Sequence, residues 1–335
     1  MKAVILAGGL GTRLRPLTLT RPKPLLPVGN APLVARILQK LPRDVDEVVL
    51  AVNYKLDRLA EHFDAHDYGV RVTLVEEKEP LGTGGAIKNV ESHIDGDFLV
   101  FNADILDSLD VGAFRATHAR LRGAGAIALW RVPDPRHYGV VALDATGVIT
   151  RFVEKPATRE EAPSDLANAG TYVLTPEVFE YMRAGEAASI ERDVFPAMIA
   201  GGLRLAGVPF EGYWVDCGRP ETYLKANALW LEHAGRATLL GRDVTDRGAT
   251  FEEWAAVGDG CVLGQGSTVA RSVLLPGAVV GDNAVIRDSV LGEGARVGPD
   301  AGVVESVIGD GGVVAKGMLL RKVRVDPMTE AGDDG

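Results

Sequence analysis

Residues 1–232 alternate between short apolar runs and stretches whose apolar residues have helical spacing. Strands are predicted where apolar residues follow one another almost without a break, as in buried parallel strands, at 2–7, 47–54, 71–77, 98–104 and 126–132. Helices are predicted between them, at 33–41, 56–66, 84–94 and 111–121. This alternation predicts an α/β fold with a doubly wound, mixed and mostly parallel sheet, whose ligands bind beyond the carboxyl ends of the strands.

Near the end of the chain the apolar pattern repeats at a fixed interval. RSVLL, DSVLG and ESVIG begin at positions 271, 288 and 305, and the apolar positions within each period are spaced six, six and five apart. The aligned sets are Val257, Leu274, Leu291 and Ile308, then Leu263, Val280, Val297 and Val314, then Val269, Ile286, Val303 and Leu320. A hexapeptide-type repeat of this kind predicts a three-sided parallel β-helix of about three to four coils.

These two patterns divide the chain into four segments. We expect an α/β domain over 1–234, a connector over 235–255, the β-helix over 256–323 and an acidic tail over 324–335. The last residues, EAGDDG, have the composition of a disordered terminus.

Composition limits the class of protein. No apolar run approaches the roughly 18 residues of a membrane helix, and MKAVILAGG lacks the long apolar stretch of a signal peptide. We therefore expect a soluble, cytoplasmic protein without a membrane partner. The two cysteines, Cys217 and Cys261, lack metal-ligand spacing and are interpreted as ordinary thiols.

Charge is unevenly distributed along the chain. The net charge is −10, yet residues 1–43 contain eight Lys or Arg residues and no Asp or Glu. An acidic chain argues against nucleic acid as a partner, and a locally basic segment favours a site for a small anion.

The first predicted strand leads into a glycine-rich loop, LAGGLGTRL. The loop lacks the last glycine of the dinucleotide fingerprint, and no GxxxxGK[ST] motif occurs in the chain. Gly8, Gly9 and Gly11 would let backbone N–H groups approach a phosphate, and Arg13 would add a bidentate fork. Lys23 stands between Pro22 and Pro24, which restrict its backbone and reduce the entropy lost on binding an anion.

Seven motifs follow one another over residues 1–232: GGLGTRLRPLT, PKPLLPV, LGTGGAIK, FNAD, FVEKP, NAGTY and WVDCG. In this order they resemble the sugar-1-phosphate nucleotidylyltransferases. The C-terminal repeat resembles the left-handed β-helix that many members of that family carry. EEKEPLGTGGA, RFVEKP and SIERDVFPAM are most similar to the mannose-1-phosphate guanylyltransferases within it.

The resemblance implies a reaction in which an oxygen of a sugar 1-phosphate attacks the α-phosphorus of a nucleoside triphosphate and releases pyrophosphate. A phosphate monoester, with a second pKa near ~6, is largely dianionic at neutral pH and needs no general base. The lack of a Ser/His/Asp or Cys/His set in the sequence is consistent with this chemistry. The transfer does need positioning, cations and Mg²⁺.

The resemblance also assigns residues to roles. Asp104 and Asp216 would bind Mg²⁺. The alternative for Asp104 is a structural role in a turn or as a helix N-cap, and the alternative for Asp216 is a buried structural salt bridge. Arg13 and Lys23 would hold the triphosphate, unless they are solvated surface charges. The nucleotide-binding set is Leu6, Ala7, Gly8, Gly9, Gly11, Thr12, Arg13, Lys23, Glu77, Gly82 and Thr83.

On the sugar side, Lys155 would pair with the sugar phosphate, while Glu154 and Asn168 would bind ring hydroxyls. A surface charge for Lys155 and strand-end hydrogen bonds for the other two are the alternatives. The sugar-phosphate set is Asn102, Gly139, Glu154, Lys155 and Asn168.

Base selectivity rests on Glu77. A carboxylate can accept both donors on the Watson–Crick edge of guanine, whereas thymine or uracil suits a glutamine, which thymine-binding family members carry near this position. Glu77 therefore favours GTP, although Glu76 and Glu79 beside it allow a charged surface turn instead.

Several functions stay open at this point. The first is guanylyl transfer to mannose 1-phosphate or a related sugar phosphate, and the second is synthesis of dTDP- or UDP-glucose. A regulatory relative would have lost phosphate or metal residues, and an acyltransferase would need a histidine beyond His233. Gly84 replaces the usual alanine of LGTAGA, which we expect to loosen the loop slightly. The flat faces of a β-helix favour a homo-oligomer.

Overall fold

The computed structural model describes residues 1–331. The chain forms two compact units, and each is drawn from two stretches of sequence. The first unit contains Met1–Gly9 and Val34–Trp214, and the second contains Leu10–Leu33 and the chain from Val215 onward. The glycine-rich loop is thus divided between the units after Gly9.

A nine-stranded mixed sheet forms the first unit. Seven of its strands follow in the spatial order Ile149–Glu154, Gly139–Leu143, Leu166–Leu174, Phe98–Asn102, Lys2–Leu6, Glu47–Val52 and Arg71–Glu76. Gly125–Arg131 pairs with Leu166–Leu174 and, on its other side, with Leu205–Pro209. This arrangement confirms the expected α/β class.

The centre of this sheet is parallel and apolar. Lys2–Leu6 pairs in parallel with both Glu47–Val52 and Phe98–Asn102. Nearly every residue of these three strands is buried, which explains their continuous apolar sequences. Their carboxyl ends consequently lie at the same edge of the sheet.

Helices connect the strands of the first unit and one helix belongs to the second. The α-helices are Leu33–Gln39, Leu56–Ala65, Gly82–Asn89, Val111–Leu121, Phe195–Ala200 and Pro220–His233. Val111–Leu121 begins where Asp110 accepts a hydrogen bond from the Ala113 N–H, a standard N-cap. Single 3₁₀ turns or short 3₁₀ helices occur at Thr12–Leu14, Leu17–Leu19, Lys23–Leu25, Glu91–His93, Pro135–His137 and Pro176–Tyr181, and a π-helical turn at Ile190–Val194.

Parallel strands one coil apart build most of the second unit. Val262 pairs with Val279, Val279 with Arg296 and Arg296 with Val313, each step advancing by one period of the repeat. All twelve apolar residues of the three predicted sets are buried, which confirms the parallel β-helix and its register. Its strands are Thr238–Leu240, Thr245–Asp246, Thr250–Val257, Val262–Leu263, Thr268–Leu274, Val279–Val280, Val285–Arg287, Val290–Leu291, Arg296–Val297, Gly302–Val304, Val307–Ile308, Val313–Val314, Leu319–Arg321 and Arg324–Val325.

The corners of the coils repeat with the same period. One corner has positive φ at Gly260, Gly277, Gly294 and Gly311, where glycine avoids the steric cost of a side chain. Inside the coils, the Ser289 N–H donates to Ser272 Oγ and the Ser306 N–H donates to Ser289 Oγ. This ladder satisfies buried backbone groups from one coil to the next.

The stack of coils is longer than the three to four that the repeat suggested. Thr238–Leu240 pairs in parallel with residues 255–257, so strands occur within 235–255, the segment expected to be a connector. Of the acidic tail, residues 332–335 lie outside the described residues. Within 1–331 no helix combines the length and apolar character required to cross a membrane.

Candidate active site

Three predicted site segments of the first unit follow parallel strands of the same sheet. Gly8 comes two residues after Leu6, Glu77 comes immediately after Glu76, and Asp104 comes two residues after Asn102. The Ala7 N–H donates to the Ala51 carbonyl and the Ala103 N–H donates to the Leu6 carbonyl, which extends the pairing to the edge of the sheet. This edge is where an α/β sheet binds its ligands.

Glu77 differs from the acidic residues beside it. Its side chain is buried, while Glu76 and Glu79 are exposed, so a surface turn does not describe it. The Leu81 N–H donates to its Oε2 at 3.4 Å, and burial raises the pKa of the carboxyl group. A Cβ on Gly8 would lie 3.3 Å from Oε1, so the small residue lets the glycine-rich loop lie directly against this carboxylate.

The LGTGGA segment forms the start of the helix Gly82–Asn89. The N–H groups of Gly84 and Gly85 both donate to the Ala188 carbonyl, at 2.8 and 3.2 Å. A Cβ on Gly84 would lie 3.2 Å from that carbonyl oxygen and from Val194 Cγ2. Neighbouring atoms therefore already approach the place of the missing methyl, so Gly84 leaves no gap in the packing there, and a looser loop stays a prediction.

The hydroxyl of Thr83 is committed to contacts within the protein. It donates to Glu191 Oε2 at 2.7 Å and accepts from the Ile190 N–H at 2.9 Å. Glu191 also accepts from Ser189 Oγ at 2.8 Å. The single hydroxyl proton of Thr83 is consequently used within the protein and not available to a nucleotide.

Asn168 and Asn102 meet at an irregular part of the strand Leu166–Leu174, where the pairing register shifts. Asn168 donates through Nδ2 to the Tyr172 hydroxyl and accepts from the Gly170 N–H. Gly170 has a φ of 75°, and a Cβ there would lie 2.7 Å from Asn102 Nδ2. Among residues 1–331, the buried Oδ1 of Asn102 has no hydrogen-bond partner. A ligand with an N–H or O–H group could therefore donate a hydrogen bond to it.

Glu154 and Gly139 lie opposite each other on paired strands. Burial raises the pKa of Glu154, and the neighbouring Lys155 ammonium, 3.5 Å from Oε1, opposes that effect. A Cβ on Gly139 would lie 2.5 Å from Glu154 Oε2, so only glycine leaves room for this carboxylate. The Lys155 side chain is two-thirds exposed and could still reach an anion.

Several of these groups act on the buried Tyr172 phenol. Burial raises its pKa well above the usual value, and the negative charges of Glu191, Glu154 and Asp104 raise it further. Asn168 is the group that contacts the hydroxyl directly, donating to it at 2.8 Å. Tyr172 and Glu191 were not singled out from the sequence; the SIERDVF segment that contains Glu191 was the available signal.

In the second unit the glycine-rich loop continues through a left-handed Gly11. Its φ is 61°, a Cβ there would lie 2.8 Å from Thr18 Cγ2, and Thr18 Oγ1 donates to the Gly11 carbonyl. The short 3₁₀ helix Thr12–Leu14 follows and carries the exposed Arg13. Packing against Thr18 therefore fixes the turn that presents Thr12 and Arg13.

Lys23 and Asp216 form the charged centre of the second unit. The Lys23 side chain is only 9% exposed, and its Nζ lies 3.6 Å from Asp216 Oδ1, so it is not a solvated surface charge. A Cβ on Gly218 would lie 2.9 Å from Asp216 Oδ1 and 3.1 Å from an Arg13 guanidinium nitrogen. Arg13, Lys23 and Asp216 thus converge beside a glycine.

Other basic residues of the N-terminal segment are neutralised by acidic residues. Lys2 pairs with Asp46 and Glu47, and Lys40 pairs with Asp107. Local basicity in the sequence therefore overstated the charge available to an anion.

The donor chemistry is compatible with a hard divalent cation. Within the described residues 1–331, no group of three or more His, Cys, Asp or Glu side chains could hold a metal by itself. Mg²⁺ in phosphoryl-transfer sites takes one or two carboxylates and completes its shell with phosphate oxygens and water. Asp216 is 40% exposed, and Gly218 leaves space beside its Oδ1.

Comparison with known proteins gives the family. The model for the family described as nucleotidyl transferase matches residues 2–233. The chain belongs to the nucleotidyl transferase family. This confirms the resemblance of the motifs, and the model described as the GMPPB C-terminal domain matches residues 242–333.

Among the relatives of this nucleotidyl transferase is the mannose-1-phosphate guanylyltransferase of Mycobacterium tuberculosis, 36% identical over 82% of this chain and 78% of the relative. The crystal structure of HddC from Yersinia pseudotuberculosis complexed with GMP-PN is similar at a TM-score of 0.58 and 31% identity, covering 68% of this chain and 99% of HddC. A putative glucose-1-phosphate thymidylyltransferase from Bacillus anthracis has a TM-score of 0.61 at 25% identity, covering 68% of this chain and 94% of that one.

Proposed function

We propose that the protein joins GTP and mannose 1-phosphate to give GDP-mannose and pyrophosphate. The observation that carries the choice of base is the buried carboxylate of Glu77 against Gly8. The similarity to a mannose-1-phosphate guanylyltransferase over most of the chain supports the sugar.

Glu77 acts as the acceptor for guanine. Its ionised carboxylate takes the two adjacent N–H donors of the base edge. Desolvation makes such a contact selective, because a base that lacks those donors would leave the carboxylate buried and unpaired. Leu6, Ala7 and Gly82 supply the apolar and backbone surroundings of the base.

The cations of the second unit act on the phosphates. Gly9, Gly11 and Thr12 offer backbone N–H groups, while Arg13 and Lys23 hold the triphosphate and stabilise negative charge as the α-phosphorus is attacked. Mg²⁺, held by Asp104 and Asp216, would supply further neutralisation of the phosphate oxygens. Because the attacking phosphate is already dianionic, positioning and charge stabilisation account for the catalysis.

The sugar 1-phosphate binds at the strand ends of the first unit. Lys155 pairs with its phosphate, and Glu154 and Asn168 bind ring hydroxyls. The free Oδ1 of Asn102 accepts from a further hydroxyl, and Gly139 leaves room for Glu154 beside the ring. Sugars that lack one of these hydroxyls would leave a buried polar group unsatisfied and bind poorly.

Further expectations complete the proposal. Residues 1–234 form the catalytic domain, and the β-helix provides a surface on which copies of the chain associate as a homo-oligomer. The protein works in the cytoplasm and needs neither nucleic acid nor a membrane.

The test is release of pyrophosphate with Mg²⁺, with GTP, dTTP, UTP, ATP and CTP each tried against mannose 1-phosphate and glucose 1-phosphate. We expect GTP with mannose 1-phosphate to react fastest, and chelation of the divalent cation to abolish release. A preference for dTTP or UTP with glucose 1-phosphate would refute the assignment of Glu77 to guanine. No release from any pair would refute the catalytic proposal.

A further inference from the structure

An acidic corner of the β-helix contacts the segment that carries Arg13 and Lys23, which we call loop 10–33. Asp310 Oδ2 accepts hydrogen bonds from an Arg21 guanidinium nitrogen and from Thr20 Oγ1, both at 2.6 Å. The same Arg21 nitrogen donates to Glu293 Oε2 at 2.8 Å. Arg21 and Asp310 are about 15% exposed, so water competes weakly with their ion pair.

The coil itself requires only one oxygen of Asp310. Asp310 Oδ1 accepts from the Glu293 N–H, one coil earlier, and Asp282 Oδ1 accepts in the same way from the Gln265 N–H. Both bonds connect equivalent positions of adjacent coils and belong to the repeat. Contact with loop 10–33 distinguishes Asp310, since its Oδ2 is directed to Arg21 and Thr20.

Two further contacts hold the same loop. Arg324, in the last coil, donates to the backbone carbonyls of Arg13 and Arg15, both at 3.1 Å. Near the other end of the loop, Asn30 Nδ2 donates to the Val257 carbonyl at 2.7 Å. The attachment points therefore begin at Arg13 itself and lie on both sides of Lys23 in the sequence.

Phosphate binding by long cationic side chains depends on the backbone that carries them. If loop 10–33 were mobile, ordering it would reduce the affinity gained from each contact with an anion. Lys23 follows Arg21 by two residues and begins a 3₁₀ turn closed by the Leu26 N–H on the Lys23 carbonyl. Fixing Arg21 thus fixes the start of the turn that presents Lys23.

We propose that Asp310 and Arg324 are positioning residues, through which the β-helix holds Arg13 and Lys23 ready for the triphosphate. The identity of this ligand rests on the proposed function. The role of the β-helix in holding loop 10–33 does not depend on it.

The test uses the full chain with Arg21→Gln, Asp310→Asn, the double variant and Arg324→Gln, and with Asp282→Asn as the matched control. Hydrogen exchange of the amides of Leu14, Leu19, Leu25 and Leu26, all hydrogen-bonded within the loop, measures its order without any reaction. We expect exchange about tenfold faster in the Arg21, Asp310 and Arg324 variants, and unchanged exchange in Asp282→Asn. The double variant should differ little from its single variants, because both remove the same ion pair.

Steady-state kinetics of the same variants distinguish a positioning role of Asp310 and Arg324 from a purely structural one. We expect the KM for the nucleoside triphosphate to rise about tenfold, while the KM for the sugar phosphate stays within about twofold. Arg21→Lys, which keeps a cation, should restore part of both the exchange protection and the nucleotide KM.

Two results would overturn the proposal. One is wild-type exchange and wild-type KM in the Arg21 and Asp310 variants. The other is a loss of protection that extends equally to the strand Lys2–Leu6, which would indicate general unfolding. If wild type transfers no nucleotide, the proposed function fails, and the exchange measurement still decides whether the β-helix holds the loop.

Discussion

The candidate site residues of the first unit and those of the second unit have opposite chemical character. In the first unit, Glu77 and Glu154 are partly or fully buried carboxylates whose pKa values are raised by burial. In the second unit, Arg13 and Lys23 are cations on short 3₁₀ turns, and Lys23 is paired with Asp216. Buried carboxylates suit neutral ligand groups that carry N–H or O–H donors, whereas cations suit phosphates. The first set therefore fits recognition of a base or sugar, and the second fits stabilisation of phosphate charge.

The two units also differ in how their sequence specifies structure. A position in the β-helix has an equivalent in the neighbouring coil, and the environment of one predicts that of the other. In the mixed sheet, most neighbouring strands come from distant parts of the chain, and the site residues follow no period. Four predictions test this comparison.

The largest effect is expected from Asp216→Asn. In the proposed mechanism the Asp216 carboxylate binds the divalent cation, so loss of its charge should lower kcat about a thousandfold. Pyrophosphate release at saturating substrate and Mg²⁺ measures the change. Asp326→Asn, at an exposed position of the β-helix, is the control and should react like wild type. A loss below tenfold would contradict the proposed role of Asp216 in binding the divalent cation.

Leu291→Ala should affect stability instead of chemistry. Leu291 is fully buried in one of the three apolar series, so its truncation should lower the free energy of unfolding by about 2–5 kcal/mol. Denaturant unfolding measures this, and kcat of the folded enzyme should stay within about twofold. Leu319→Ala, at a side chain that is mostly exposed, should change stability by less than about 0.5 kcal/mol. Equal effects of the two substitutions would refute the assigned register.

Glu77→Gln should change base selectivity. An amide can accept from only one of the two guanine donors and presents its own donor in place of the second acceptor. We expect the ratio of kcat/KM for GTP over dTTP to fall by about 10–100-fold. Glu79→Gln, at an exposed neighbour, should leave the ratio unchanged. Equal ratios in wild type and Glu77→Gln would show that another group reads the base.

The smallest effect is a pH-dependent gain in stability from Glu77→Gln without substrates. The folded pKa of Glu77 lies above its ordinary value of 4.5. Wild type therefore loses stability as the pH rises through that folded pKa, because the ionised form is buried. The variant avoids this loss, so its Tm should exceed that of wild type at pH 8. The difference should shrink as the pH falls toward 4.5, whereas Glu79→Gln should show no such trend. A constant difference at all pH values would contradict the buried titration.

Local sequence patterns were sufficient to predict much of the fold. Continuous apolar runs predicted the central strands, since burial on both faces leaves no place for polar residues. The regular repeat predicted the β-helix and its inward residues, because stacked coils repeat one environment. The first coil was missed, since Leu240 is 44% exposed and its strand is held by backbone pairing with residues 255–257.

The family and the chemical class of the site could also be reached from the sequence, because the glycines, cations and aspartates stand in short motifs. Only the tertiary structure shows which residues distant in sequence contact one another. Three adjacent glutamates look alike in the sequence, yet only Glu77 is buried against Gly8. Arg21 looks as available to an anion as Lys23, yet Asp310 neutralises it from 289 residues away. The burial of one particular polar residue and its charge pairing depend on contacts that folding creates between distant segments, and no local pattern contains them.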